Sequence, residues 1–278
     1  MPTAQPMTEP SSHALDRSTR LVRDSDGALT GRTDPAYANM VGPFGGITAA
    51  TMLNAVLTHP ERLGDPVALT VNFAGPIADG GYTIEVVPVR TNRSTQHWSI
   101  TMTQGTETAA NATAVFALRR ETWTSTETGF PQVPPANVLE RTRIPGFPPW
   151  LDNYDLRFVQ GARPDPAKAE HELDSVSVAW IRDDPPRPLD FLSLAAICDA
   201  FFPRIMIRRP RRVPAGTVSI TTYFPADAQR LAVQGERPVL GAARASHFGL
   251  GYHDQSAEIW SDDGALLATS HQIVYYKE

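Results

Sequence analysis

Apolar residues run along this chain in two different rhythms, and the same order of rhythms occurs twice. GGITAATMLNAVLTH (45–59) opens on glycines, is dense in Ala, Leu and Met, and stops at Pro60, which predicts a buried helix. Alternation follows in VALTVNFAGPI (67–77), YTIEVVPVRTN (82–92), QHWSITMTQ (96–104) and AANATAVFALRR (109–120), four predicted strands. Residues 121–171 lack either rhythm and are rich in Pro, Thr and Gly. Then DSVSVAWIRD (174–183) reads as a strand, and FLSLAAICDAFF (191–202) as a helix with Asp190 placed to cap it and Pro203 to follow it. GTVSITTYFPA (216–226), VLGAARASHFG (239–249), YHDQSAEIWSDDG (252–264) and LLATSHQIVYY (266–276) read as four more strands. Each half is therefore a helix followed by four strands.

Short matches occur in the same order in both halves. LNAV (53–56) resembles CDAF (198–201), VNF (71–73) resembles TYF (222–224), and QGTETAANATAVF (104–116) resembles DGALLATSHQIVY (263–275). A period this long means tandem domains, not a solenoid. The expected organisation is a polar, partly disordered lead-in (1–20), an N-terminal domain (21–120), a Pro-rich connection (121–171) and a C-terminal domain (172–278). Loops as long as the connection are unusual inside one compact domain, so a boundary is placed there.

Composition narrows the function. The 278 residues are 41% hydrophobic and carry a net charge of −5, which disfavours a nucleic-acid partner. No stretch approaches the ~20 apolar residues of a membrane helix, so no stable membrane insertion is expected. The lead-in has no apolar signal core, and a cytoplasmic protein is expected. The single cysteine, Cys198, excludes an intrachain disulfide and lies in an apolar run, where an inert thiol is the ordinary outcome. The seven histidines show no metal-type spacing, and there is no HExxH, CxxC, GxSxG or Walker loop. No metal and no cofactor are expected.

One residue breaks the apolar run 191–202: the carboxylate Asp199. A buried charge is costly unless paired, and otherwise shifts its pKa. A structural carboxylate bonded to backbone or to an Arg such as Arg204 would account for it. So would a general base.

GPFGG (42–46) opening a helix, Arg93-Ser94 before a strand, the DG of 263–264 and the terminal ATSHQ (268–272) together resemble the acyl-CoA thioesterase II (TesB-like) family over roughly residues 40–278. That resemblance implies a double hotdog, an α+β fold of two tandem hotdog domains, each an antiparallel sheet wrapped around a central helix. It implies that an Asp, a Thr or Ser and a Gln hold an attacking water. By motif these are Asp199, Gln272 and Thr217, the last lying seven positions before Phe224; Thr221 and Thr222 are the alternatives if the register differs. The substrate implied is acyl-CoA. Hotdog domains tend to pair, so a homo-oligomer is compatible with the chain, although a two-domain chain already satisfies one pairing internally.

The repeat gives an independent argument. By the matches above, Asn54, Pro66 and Thr113 stand where Asp199, Thr217 and Gln272 stand, so the three polar roles exist in one half only. A single site per chain is expected. Gly45 and Gly46, at a helix N-terminus, could supply N–H groups to a developing oxyanion across the domain interface. Arg93 and the run PRIMIRRPRR, with Arg204, Arg208, Arg209, Arg211 and Arg212, are candidates for the CoA phosphates. The competing readings are a non-catalytic acyl-CoA or lipid-binding protein on the same scaffold and a hydratase, which would want a His paired with the Asp.

Overall fold

The computed structural model describes residues 13–25, 27–163, 174–209, 211 and 213–278. Most of the lead-in, the end of the connection with His171, and Arg212 of the basic run lie outside the described residues. In chain order the first half holds α1 (Ala14–Ser18), β1 (Val22–Arg23), β2 (Leu29–Arg32), α2 (Gly45–Leu57), β3 (Asp65–Phe73), β4 (Gly81–Thr91), β5 (Thr95–Gln104) and β6 (Glu107–Ala117). The second holds β7 (Tyr154–Gln160), β8 (Ser177–Asp183), α3 (Phe191–Ile197), α4 (Arg204–Arg208), β9 (Ala215–Tyr223), α5 (Ala228–Gln234), β10 (Val239–Arg244), β11 (Phe248–Gly249), β12 (Tyr252–Trp260) and β13 (Leu266–Tyr276).

All strands join one antiparallel sheet in the order β1-β2-β4-β5-β6-β3-β9-β13-β12-β10-β8-β7, with β11 on β12. The order is a palindrome about the β3–β9 pair. At that centre Thr70 faces Thr221, and their hydroxyls lie 3.0 Å apart. The two helices fill the inside of the curve. Ten of the thirteen residues of α2 are buried, because the sheet wraps it and α3 packs beside it. Leu53 and Met52 of α2, Ile84 and Ile100 of the first-half strands, and Ile259 and Leu267 of the second are all essentially inaccessible and belong to one core. This is the double hotdog the sequence implied.

Four local features differ from the sequence reading. The lead-in is not wholly without structure: His13 accepts from the Leu15 N–H at 3.1 Å and starts α1, because Leu15 is fully buried in the core. The connection carries β7, which pairs with β8 and edges the second half as β1 edges the first. The helix of 191–202 ends at Ile197. Its last turn tightens, with Asp199 N–H bonding Ala196 O at 3.1 Å, and the Cys198 carbonyl is taken by Ser270 Oγ (3.3 Å) and Gln272 Nε2 (3.4 Å) in place of a helical N–H. Asp199 therefore sits just past the helix. Finally, Ile220 faces Gln272 as Leu69 faces Ala114, so the first-half counterpart of Gln272 is Ala114, one residue after Thr113. Pro66 does stand opposite Thr217: Pro66 faces Phe116 as Thr217 faces Val274, each beside a bulge at the same place.

Candidate active site

The start of α2 and the end of α3 meet closely, and glycine makes this contact feasible. A Cβ on Gly45 would lie 2.7 Å from Asp199 Oδ2 and 3.3 Å from the Phe73 ring; one on Gly46 would lie 2.6 Å from Ala196 O. Phe44 precedes the helix, stacks on Trp150 at 4.4 Å, and provides no side-chain cap. The first N–H groups of α2 are thus left for other acceptors. One of them, Gly46 N–H, bonds the Asp199 carboxylate.

Asp199 is 9% exposed. Burial pushes its pKa up to about 7, while bonds from the Gln272 amide and the Gly46 N–H pull the other way. No cation is among its partners. Arg204 does not serve it. That guanidinium is fully buried and bonds Phe202 O (2.9 Å), Gln255 Oε1 (3.1 Å), Ser177 Oγ (2.6 Å) and Ser175 O (3.2 Å), so it ties the turn after Asp199 to the sheet and has no surface to offer a phosphate.

Gln272 comes from β13 and Thr217 from β9, on adjacent strands with side chains toward the helices. Thr217 Oγ1 donates to Gln272 Oε1 at 3.1 Å. With its oxygen so occupied, the amide presents its NH₂ to Cys198 O and to Asp199. The structure thus brings Asp199, Thr217, Gln272, Gly45 and Gly46 together. Thr221 instead faces Thr70 at the centre of the sheet, and Thr222 is buried one pair further along. Arg208 and Arg209 lie half-buried at the end of α4; Arg209 holds Glu278 at 2.5 Å. Arg93 is not brought in. It stands exposed in the β4–β5 turn, where Ser94 O accepts from Leu118 N at the end of β6. That is beside the start of β3, whereas Asp199 adjoins its end, about 26 Å away at strand rise.

Sequence reasoning gave no role to two further buried residues at the ends of α3. Ser270 lies within ATSHQ but was given no role; its hydroxyl steadies the carbonyl that ends α3. Asp183, the last residue of β8, is buried and donated to by Ser193 Oγ at 2.5 Å; burial raises its pKa to about 6. It sits near Tyr37 and Tyr154, beside the start of α3, and no local pattern marked it. Cys198 is buried, and desolvation pushes its thiol up to about 12, so it is protonated at neutral pH.

This arrangement is a buried carboxyl of raised pKa beside an oriented amide and a helix N-terminus. Residues 34–117 match the acyl-CoA thioesterase N-terminal domain and residues 128–276 the acyl-CoA thioesterase C-terminal domain. The chain belongs to the TesB-like acyl-CoA thioesterase family. It is similar to a hot dog fold protein of unknown function from Alicyclobacillus acidocaldarius, at 50% identity over 96% of this chain and 99% of that one, with a TM-score of 0.91. It shares its fold with the acyl-CoA thioesterase II TesB2 of Mycobacterium marinum, at 18% identity, 95% and 98% coverage and a TM-score of 0.75. The tesB protein of Mycobacterium avium subspecies paratuberculosis gives the same TM-score at 16% identity, with 95% and 98% coverage. Among curated proteins none matches. Among the described residues no helix is long and apolar enough to cross a membrane.

Proposed function

We propose that the protein hydrolyses acyl-CoA to free CoA and a carboxylic acid by direct attack of one water, without a covalent acyl-enzyme. The observation that carries this reading is the contact of Asp199 with both Gln272 and the start of α2. Asp199 takes a proton from the water as its oxygen attacks the thioester carbonyl. A pKa near 7 suits a base working at neutral pH. Gln272, oriented by Thr217, holds the water, so orientational entropy is lost before the reaction and not during it. The carbonyl oxygen, negative in the tetrahedral intermediate, meets the Gly45 N–H at the α2 N-terminus, while the Gly46 N–H stays on Asp199. The C–S bond then breaks, and the thiolate takes the proton from Asp199. The reaction as written uses no metal or cofactor.

Free-thiol release from acetyl-, hexanoyl- and lauroyl-CoA tests this, with wild type beside Asp199→Asn. Release by the wild type that the variant loses supports the hydrolase. No release at any chain length would leave an acyl-CoA-binding protein on the same scaffold.

A further inference from the structure

Arg204 is a buried cation without an anion. Its acceptors are all neutral: the carbonyls of Phe202 and Ser175, Ser177 Oγ and Gln255 Oε1. Among the described residues no carboxylate meets it, and burial pulls its pKa down to about 9. Taking a guanidinium out of water without a counter-ion is costly, so its presence needs a reason. The other half shows what plain packing puts at the same place. His59 stands five residues past Asn54, as Arg204 stands five past Asp199. Ala114, the counterpart of Gln272, faces Trp98 on β5, as Gln272 faces Gln255 on β12. Arg204 bonds Gln255 at 3.1 Å; the His59 and Trp98 rings meet at 4.7 Å, edge-on. Both halves therefore prop the segment after the central helix against the same strand position. The first half uses two rings. The second, which holds Asp199 and Gln272, uses a charge and an amide.

The difference lies in direction. Packed rings tolerate sliding, whereas the planar fork of a guanidinium fixes its acceptors in place. Arg204 donates twice to Phe202 O, three residues past Asp199, and reaches Ser177 on β8 at 2.6 Å. Its Nε also holds Gln255, which is buried and stands directly opposite Gln272 on the side of the sheet that faces the helices. Residues so paired have Cβ atoms about 4.5–5.5 Å apart. The turn that carries Asp199 and the strand pair that carries Gln272 thus share one anchor, and Asp199 receives the Gln272 amide between them. We propose that Arg204 and Gln255 form a strut that sets the Asp199 carboxylate against the Gln272 amide, which makes both of them positioning residues for the reaction. The kinetic part of this inference rests on the hydrolase reading above; the geometric part does not.

Removing Arg204 would strand several buried acceptors and endanger the fold, so the test is made at Gln255. Gln255→Leu keeps the cation and removes its tie to the strand. Two readouts are taken on the full chain: thiol release from hexanoyl-CoA, and titration of the Asp199 carboxyl by ¹³C NMR. Gln255→Leu should lower kcat about tenfold with KM within about twofold, the signature of lost transition-state geometry. It should also raise the Asp199 midpoint from near 7 by about one unit, because the Gln272 hydrogen bond that pulls it down is loosened. Cys198 and Tyr154, the other titratable groups in electrostatic reach of Asp199, are kept neutral there by burial, as is His253 beside Arg204. Gln255→Glu still offers Arg204 an acceptor and should keep kcat within about threefold of wild type. His59→Ala, in the other half, should move neither kcat nor the midpoint. A folded Gln255→Leu with wild-type kcat and midpoint reduces the pair to packing and overturns the strut. So does Gln255→Glu as slow as Gln255→Leu, since the amide itself would then meet the substrate. If the wild type releases no thiol, the titration decides alone: a raised midpoint in Gln255→Leu keeps the strut while the hydrolase reading falls, and an unchanged one ends both.

Discussion

The two halves of this molecule share a backbone and differ in chemistry. Each offers a helix start, a strand residue beside a bulge and a neighbouring-strand residue that faces the helices. In the second half the strand positions hold Thr217 and Gln272; in the first they hold Pro66 and Ala114. Asn54, the residue aligned with Asp199, donates to Thr19 O at 2.9 Å and anchors the end of α1. The two halves thus share one register, down to the position of the bulge, while the polar pair Thr217–Gln272 stands on one side only. The half without Thr217 and Gln272 still contributes, because α2 supplies the glycine helix start that meets Asp199. Neither half alone holds the complete arrangement.

The comparison breaks most sharply at Asp199. Asp199→Asn should lower kcat by about 10²–10⁴-fold, read by thiol release, while making the fold more stable. The sign follows from the raised pKa. The folded wild type prefers the protonated carboxyl, so stability is lost as pH rises from about 4 through about 7. At ~1.4 kcal/mol per unit, the roughly three-unit rise costs up to about 4 kcal/mol at pH 8. Denaturant unfolding should show the variant gaining most of that at pH 8 and almost none at pH 4. A variant less stable than wild type at pH 8 would mean the carboxylate is a structural tie.

In the proposed mechanism the same ionisation sets the rate. In the wild type kcat/KM should rise with pH to a plateau, with a midpoint near 7, since the base must be ionised in the free enzyme. A flat profile between pH 5 and 8 would remove Asp199 from the proton's path. Next come the two residues proposed to orient the water. Gln272→Ala should cost about 10²-fold in kcat, comparable to losing one well-placed donor. Thr217→Val should cost less, about tenfold, because Thr217 acts through the Gln272 amide, and Thr217→Ser should recover most of it. Thr217→Val being worse than Gln272→Ala would point to direct contact of the hydroxyl with the water. The smallest effect belongs to the other half: Asn54→Ala should leave kcat within twofold and lower stability by about 1 kcal/mol, the loss of one hydrogen bond.

Local pattern alone made a good deal of this legible. The long, regular strands β3–β6, β9, β12 and β13 and the buried α2 follow from alternation and from an Ala-rich run between glycine and proline, because the periodicity of burial is written residue by residue. Asp199 stood out because a lone carboxylate in an apolar run needs a reason; Thr217 came from the family resemblance, and the repeat then set Pro66 against it. The short elements β1, β2, β7, α1 and α5 did not stand out, since two to seven residues carry too little periodicity and are held by their neighbours. Register was the finer casualty. The match of QGTETAANATAVF to DGALLATSHQIVY put Thr113 opposite Gln272, and strand pairing puts Ala114 there, because a one-residue shift changes the face and only the hydrogen-bonded ladder selects it.

The cationic residues separate the two levels most clearly. In the sequence Arg93, Arg204, Arg208 and Arg209 are equal candidates for a phosphate. Packing divides them: Arg204 is sealed among carbonyls and hydroxyls, Arg93 is carried to the far end of the sheet, and Arg208 and Arg209 are left near the β13 terminus with Lys277. Which residues could bear chemistry was determined by the side chains themselves. Which of them share one place was decided only by the closure of two sheets into one, since proximity across more than a hundred residues is a property of the fold and leaves no trace in local order.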